Sequence, residues 1–344
     1  MNFIDLENED GKKISVYFRA FQPKDAPAIV NLIRDEYGDT YRKRAMYDTD
    51  YIVRESAAKN LFLYVAETDG GEVIGTLGIQ RNLPEDNSCS VVTGIILRRY
   101  RGYRMFFPLI KYVAGKIRRL EGVSVTQCRS LMYHDITQKL VYQLGLKPCG
   151  FISSVTIAEN FQHSFGEVAN TKLSLGILIR KVTVHKVGKI YLPAEHSEIA
   201  RKIYSDLRLK VEIENGVENL RGESEISVAN DERQQACTIE IKTAGEDLVT
   251  AIRAIQSKYT AALQTFNIFL NISDPKAVAA CNELKKLGYF FTGFQPACKN
   301  YEIMILHNPR NVEIDFDTLT IIPAFKPLKD YVKNCYESRC RLED

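Results

Sequence analysis

SVVTGIILRRYRGYRMFFPLIKYVAGKIRRL, residues 90–120, decides how the rest of this 344-residue chain is read. Ser90–Leu97 is a β-branched apolar run, the pattern of a strand buried on both faces. From Met105 the apolar residues fall at Met105, Phe106, Leu109, Ile110, Val113, Ile117 and Leu120, which is helical spacing. Between them lies Arg98-Arg99-Tyr100-Arg101-Gly102-Tyr103-Arg104, so a strand feeds a basic turn with one glycine and the turn feeds a helix. The first N–H groups of a helix lack intrahelical partners, and its dipole is positive there. Such a turn is a ready anion site, with phosphate its usual guest. A solvated basic turn fits the same residues, and one glycine does not separate the two.

The length suggests two domains. A hydrophobic share of 45% and a charged share of 26% are those of an ordinary globular chain. Lys and Arg total 46 against 43 Asp and Glu, a net charge of +3, so the basic cluster is local and nucleic acid is not an expected partner. No apolar run reaches the roughly 20 residues that span a bilayer, which argues against a membrane role. The acidic start MNFIDLENEDGKK has no apolar h-region and reads as no signal peptide. The eight cysteines are scattered without CxxC pairing, as expected of reduced thiols in a cytoplasmic protein, and no metal site is expected.

Outward from the quoted stretch, Ile14–Phe21 alternates as a strand, and Asp25, with Pro27 in the first turn, N-caps a helix through Tyr37. Asp48–Lys59 reads as a second helix. Asn60–Glu67 and Glu72–Gln80 form a hairpin about Asp69-Gly70-Gly71. Pro84–Ser88 is a loop. The long helix closes at Gly122-Val123. Val123–Arg129 is a strand, a helix runs from about Asp135 to Leu144, and Gly145 suits a left-handed C-cap. Phe151–Ile157 and Lys172–Val184 are strands around the polar loop His163–Asn170.

This order, with FRAFQPKDAPAIVNLI at its start, the DGG hairpin, ILRRYRGYRM, and a helix ending in LGL followed by GF, resembles the GNAT superfamily of acyl-CoA N-acyltransferases over roughly residues 14–184. The family's phosphate signature is Arg/Gln-x-x-Gly-x-Gly/Ala. Arg99-x-x-Gly102-x-Arg104 meets its first two fixed places and puts arginine at the third. The resemblance implies acetyl-CoA or another acyl-CoA as co-substrate. Arg99, Arg101, Gly102, Tyr103 and Arg104 would hold the pyrophosphate. The backbone of Gly94, Ile95, Ile96 and Leu97 would hold the pantetheine arm.

A second copy follows. Leu144-Gly145-Leu146-Lys147-Pro148-Cys149-Gly150-Phe151 recurs as Leu287-Gly288-Tyr289-Phe290-Phe291-Thr292-Gly293-Phe294, with Gly145 and Gly288 143 positions apart. The expected elements are Lys189–Leu192, Glu195–Leu207, a hairpin of Glu225–Ala229 with Ala236–Lys242, Glu246–Lys258, Thr265–Asn271, Pro275–Leu287 and Tyr301–His307. The expected fold class is α/β (α+β mixed): two tandem GNAT-like domains, each a mixed, mostly antiparallel sheet flanked by helices. Residues 1–184 are the acyl-CoA-binding domain, 185–325 a degenerate copy and 326–344 a helical tail, whose Leu328, Tyr331, Val332 and Cys335 fall at helical spacing. In the copy the basic turn is replaced by Lys242-Thr243-Ala244-Gly245-Glu246-Asp247, whose carboxylates would repel an anion.

The proton chemistry of acyl transfer is less complete. The family's frequent glutamate base on the central strand has no counterpart among Ser90, Val91, Val92 and Thr93. Its frequent tyrosine acid, four residues before the closing glycine, would fall on Val141; Tyr142 is one place off, about 100° around the helix. Tyr133 and His134 are the nearest titratable candidates, and the ordinary pKa of His134 suits proton transfer near neutrality. Gln138 and Lys139 could reach the cofactor or be solvated. Two functional classes stay open. One is an N-acyltransferase acting on a small-molecule or protein amine. The other is a non-catalytic acyl-CoA-binding regulatory module with a signalling-protein partner.

Overall fold

The computed structural model describes residues 3–81, 86–158, 172–183 and 188–339. The expected loop 163–170, part of the loop 84–88, Val184 and the last residues of the tail lie outside them. The chain forms two compact units, Met1–Thr126 with Ala158–Ala169, and Gln127–Ile157 with Asn170–Asp344.

The first unit carries β1 (Ile4–Glu7), β2 (Lys13–Ala20), α1 (Ala26–Tyr37), α2 (Thr49–Ala57), β3 (Leu61–Thr68), β4 (Val73–Arg81), β5 (Ser88–Ile96) and α3 (Phe106–Ile117). The five strands pair antiparallel in chain order. Strand alternation sends Leu63 and Val65 to one face, where they close a core with Ile29, Leu32 and Ile33 of α1, Met46, and Ile52 of α2. Tyr64, between them in sequence, points the other way and meets Tyr112 of α3 at 5.9 Å between ring centroids. Helices therefore cover both faces of the sheet, as an apolar β5 requires.

Two local expectations change. Asp25 stands at the N-cap of α1, but its side chain makes no cap bond to that helix. Its carboxylate instead accepts from Arg19 (2.6 and 2.9 Å) and from the Gln22 N–H (2.7 Å), because a 3-10 turn over Pro23–Asp25 delivers it to the end of β2. The long helix closes at Ile117, before Gly122, where Arg119 and Leu120 switch to the tighter bonds of a 3-10 turn.

The second unit carries β6 (Val125–Leu131), α4 (Ile136–Gln143), β7 (Lys147–Ile157), β8 (Lys172–Lys181), β9 (Lys189–Tyr191), α5 (Ser197–Asp206), β10 (Glu212–Glu214), β11 (Glu225–Asp231), β12 (Ala236–Thr243), α6 (Leu248–Lys258), β13 (Thr265–Asn271), α7 (Ala277–Lys286), β14 (Phe290–Gln295), β15 (Ile303–Asn308) and α8 (Lys326–Glu337). Its strands run β6-β8-β7-β14-β15-β13-β12-β11, mostly antiparallel, with β12 and β13 parallel. β9 and β10 make a separate parallel pair.

The repeat suggests two separate sheets. Within this unit the strands of both copies instead share one, because β7 pairs antiparallel with β14 at Gly150 and Gly293. These glycines occupy the same place in the repeated motif, so equivalent residues meet across a local two-fold. The approach is close: a Cβ on Gly293, whose φ is 151°, would lie 2.2 Å from the Gly150 Cα and 2.7 Å from the Cys149 carbonyl oxygen. Only a residue without a Cβ fits.

The tail packs on its own chain. Leu328 and Val332 of α8 are buried, and Tyr331 lies edge-on to Phe291 at 5.5 Å. The Tyr331 hydroxyl donates to the Glu195 carbonyl (2.7 Å) and bonds His196 Nδ1 (2.7 Å). Phe325, just before α8, fills the space left by Gly176, whose Cβ would meet the ring at 2.8 Å.

The two glycines make unequal demands. Gly293→Ala should cost about 3 kcal/mol or more, since backbone atoms must move. Gly150→Ala, whose Cβ would sit 3.1 Å from its nearest atom, should cost about 1 kcal/mol. Urea unfolding of both variants tests this ordering, and equal costs would contradict it.

Candidate active site

In the first unit, β4 and β5 fall out of register at one point. Thr76 pairs with Ile95 and Gly78 with Val92, so Leu77 alone faces both Thr93 and Gly94. Two residues opposite one is a β-bulge. Thr93 takes the left-handed conformation with φ 51°, which is unusual for a β-branched residue. The bulge sends Thr93 toward α1 and α2, where the Tyr41 hydroxyl lies 3.3 Å from its Oγ1. Gly94, in mid-strand, is exposed while Thr93 and Ile95 on either side are buried. A Cβ on Gly94 would press Phe106, the first residue of α3, at 2.8 Å.

The Leu97 N–H donates to the Ile74 carbonyl (2.9 Å), and Ile95 and Ile96 pair with Thr76 and Gly75. Antiparallel alternation then turns the backbone groups of Gly94 and Ile96 away from β4. Of the four expected pantetheine residues, these two carry backbone groups directed off the hairpin, and the Ile96 carbonyl accepts from Arg101 Nε (3.4 Å).

The basic turn is a 3-10 helix, Arg98–Tyr103, followed by Arg104 in the left-handed conformation. The family's small residue would stand at this left-handed position. Gly102 needs no such freedom, and a Cβ there would meet only the Asn8 Cβ at 3.8 Å. Tyr103 is buried. The arginines are met by carboxylates: Arg99 pairs with Glu72, Arg101 with Glu36, and Arg104 with Glu9 at 3.2 Å. The Tyr100 hydroxyl also donates to Glu72 (2.8 Å), and Asp35 accepts from the Arg98 N–H (3.2 Å). Arg99 and Arg104 remain 65% and 80% exposed, so those two pairs are water-screened and weak enough for a polyanion to displace, whereas Glu36 is 15% exposed.

Arg19 behaves differently. It is 14% exposed between Asp25 and Glu67, both also sheltered, and these partners raise its pKa further above the ordinary arginine value. It is a structural clamp joining β2, β3 and the start of α1.

In the second unit, Tyr133 is exposed and His134 half-buried between β6 and α4. Burial holds the His134 imidazole below its ordinary 6.5, against a smaller upward pull from Asp135. Gln138 is fully buried. Its amide donates to the carbonyls of His134 (3.0 Å) and Thr320 (2.8 Å), and its Oε1 accepts from the Ile322 N–H (3.2 Å). That amide is committed to the fold, which removes Gln138 as a ligand. Lys139 is paired with Asp135 at 2.7 Å. Val141 is buried and apolar.

The corresponding turn of the second copy is filled by its own chain. The Gly245 N–H donates to Ser224 Oγ (2.8 Å) and the Glu246 N–H to the Gly222 carbonyl (2.9 Å). Asp247 accepts from the Ser224 N–H (2.8 Å). A Cβ on Gly245 would lie 2.3 Å from the Gly222 oxygen, which measures how closely this plug sits. β12 and β13 also stay in register through six consecutive pairs, Ala236–Ile241 with Thr265–Leu270. The register of β12 shifts instead against β11, at the exposed Lys242.

Sequence reading missed the bulge, Tyr41 and the neutralising carboxylates. A bulge leaves only the weak trace of a glycine inside a β-branched run, and Glu9, Glu36 and Glu72 are remote in sequence from the turn.

No family model matches the chain, and no curated protein matches it. Among solved structures, the chain is similar to YncA of Salmonella typhimurium, solved with its cofactor acetyl-CoA, at 16% identity and a TM-score of 0.41, covering 50% of this chain and 96% of that one. It is similar to an N-acetyltransferase of Staphylococcus aureus Mu50 at 13% identity and a TM-score of 0.39, covering 49% and 99%. It is also similar to the spermidine N-acetyltransferase of Vibrio cholerae at 11% identity and a TM-score of 0.39, covering 48% and 94%.

Two substitutions separate clamp from turn. Arg19→Met should cost about 3–5 kcal/mol by leaving two sheltered carboxylates unpaired. Glu72→Gln should cost less than about 1 kcal/mol, as expected of a surface pair. Chemical denaturation measures both, and a large loss in Glu72→Gln would make the turn's pairs structural rather than displaceable.

Proposed function

We propose that the first copy, residues 1–184, binds acetyl-CoA or another acyl-CoA and transfers its acyl group to an amine, while the second, residues 185–325, is a degenerate partner without a cofactor. The bulge at Thr93 and Gly94 carries this reading. It leaves Gly94 exposed in mid-strand, one short step before a turn of four arginines and a helix N-terminus. An extended polar arm ending in a pyrophosphate needs such a run: open backbone groups first, then fixed positive charge.

Arg99, Arg101 and Arg104 would exchange their carboxylate partners for phosphate oxygens. Tyr103 would brace the turn from within. Gly94 and Ile96 would meet the pantetheine amides, with Ile95 and Leu97 keeping the strand attached to β4. Tyr133 and His134 remain the proposed residues at the acyl end. A His134 ring held below 6.5 is neutral at pH 7, so its role is to accept the proton of the attacking amine rather than to supply one. The amine class is open between small molecules and protein lysines. Acyl-CoA binding without turnover on either would mark the regulatory alternative.

Calorimetry with acetyl-CoA tests the binding part. One site per chain is expected, with stabilisation of about 2.7 kcal/mol at 100 times the dissociation constant. Arg99→Ala should weaken binding about tenfold or more, the scale of a lost charge-assisted bond. Arg104→Gly should also weaken it; tighter binding would make Arg104 an obstruction. Glu72→Gln should tighten binding, because Arg99 no longer has to leave a carboxylate. No heat and no melting shift at millimolar acetyl-CoA would end the reading.

The proton part has its own check. With an amine that turns over, the wild-type rate should fall as pH drops through a value below 6.5. His134→Ala should lose that limb and about 10²-fold in kcat. An unchanged profile would remove His134.

A further inference from the structure

The mechanism above provides a proton acceptor but no donor for the leaving sulfur, and the place where the resemblance expects a tyrosine is the buried, apolar Val141. The first unit holds an unassigned hydroxyl pair at the bulge. Tyr41 Oη and Thr93 Oγ1 lie 3.3 Å apart, and among the described residues neither has another hydrogen-bond partner. Two hydroxyls carry two protons, and their mutual bond uses one. The other is available to an acceptor placed beside them.

Both members are held. The Tyr41 N–H donates to the Tyr47 hydroxyl (3.0 Å), which donates on to the Gly38 carbonyl (2.7 Å), and the Tyr41 ring packs on Tyr37 at 4.8 Å. Thr93 is fixed by the bulge, next to the exposed backbone of Gly94. Holding a β-branched residue left-handed strains the backbone, and the surrounding fold maintains it. Burial drives the Tyr41 phenol above its ordinary 10, so it stays protonated throughout the neutral range and can only give a proton there.

We infer that Tyr41, bonded to Thr93, is the proton donor to the thiolate leaving group, an inference that rests on the acyl-CoA reading of the first copy. The amine nitrogen forms a bond to the thioester carbon as the carbon–sulfur bond breaks. The electron pair of that bond goes to sulfur, and the Tyr41 proton goes with it. The one proton that the attacking nitrogen sheds is taken by His134, and exchange through solvent returns a proton from the imidazolium to the phenolate. The products are an amide and a free thiol, and nothing else is consumed.

A binding comparison tests this without knowledge of the amine. Coenzyme A and desulfo-coenzyme A differ only by the sulfur, so any merely structural change at Tyr41 alters both affinities alike. At pH 9 part of the thiol is ionised, and a hydroxyl donor beside it favours that form through a charge-assisted bond. Calorimetry on the full chain should give coenzyme A about tenfold tighter than desulfo-coenzyme A for the wild type and for Thr93→Ser. The preference should vanish in Tyr41→Phe, which keeps the packed ring, and shrink in Thr93→Val. Equal affinities in the wild type, or a preference that survives Tyr41→Phe, would overturn the donor role and leave acyl-CoA binding intact. Failure of the wild type to bind either ligand would remove the binding reading itself, and the donor with it.

Discussion

One extra residue in β5 sets the rest of the first unit. Opposing Thr93 and Gly94 to Leu77 alone breaks the β4–β5 ladder at a single point. The break has three consequences. Thr93 meets Tyr41 on the face covered by α1 and α2, Gly94 opens its backbone, and Phe106 of α3 closes over the space where a side chain would stand. A regular strand would hide all three. Bulges re-aim groups in this way, and the left-handed threonine is where the backbone strain is stored.

The arginine turn illustrates how magnitudes separate structure from availability. Arg19 and Arg99 are both paired with carboxylates, yet Arg19 is sheltered and Arg99 largely exposed. Removing a partner from a buried network leaves an uncompensated charge, whereas an exposed pair exchanges partners at little cost. The turn's carboxylates therefore act as placeholders that keep the arginines ordered. In the second copy the equivalent N–H groups are bound by Gly222 and Ser224 of the same chain. Those bonds, one to a backbone carbonyl and one to a serine hydroxyl, are closely packed, which is a stronger exclusion than the repulsion from Glu246 and Asp247 read from the sequence.

Much of the fold was legible because its elements are strongly patterned. The β-branched run of β5, the helical spacing of α3 and the Asp69-Gly70-Gly71 hairpin all stand where the sequence puts them. The repeated Gly-Phe motif suggests two copies, but nothing local said that Gly150 and Gly293 would face each other, since strand-edge pairing is decided by surfaces rather than by the residues of one strand. The Asp25 side chain was misread as a cap because its partner, Arg19, comes from the preceding strand. Gln138 looked solvated by type, and its burial follows from the distant Thr320–Ile322 segment. Of the candidate site, the charged turn was legible, while the bulge and the hydroxyl pair depend on strand register and a loop, which single-residue pattern does not encode.

The central claim is that one cofactor site lies on the first copy and none on the second. Hydrogen–deuterium exchange of the full chain with and without acetyl-CoA addresses it most directly. The account predicts added protection over residues 94–107, where Gly94, Ile96 and the start of α3 would gain partners, and none over residues 243–250, where the Gly245, Glu246 and Leu248 N–H groups are already bound. Protection in the second segment, or none in the first at saturating acetyl-CoA, would contradict it.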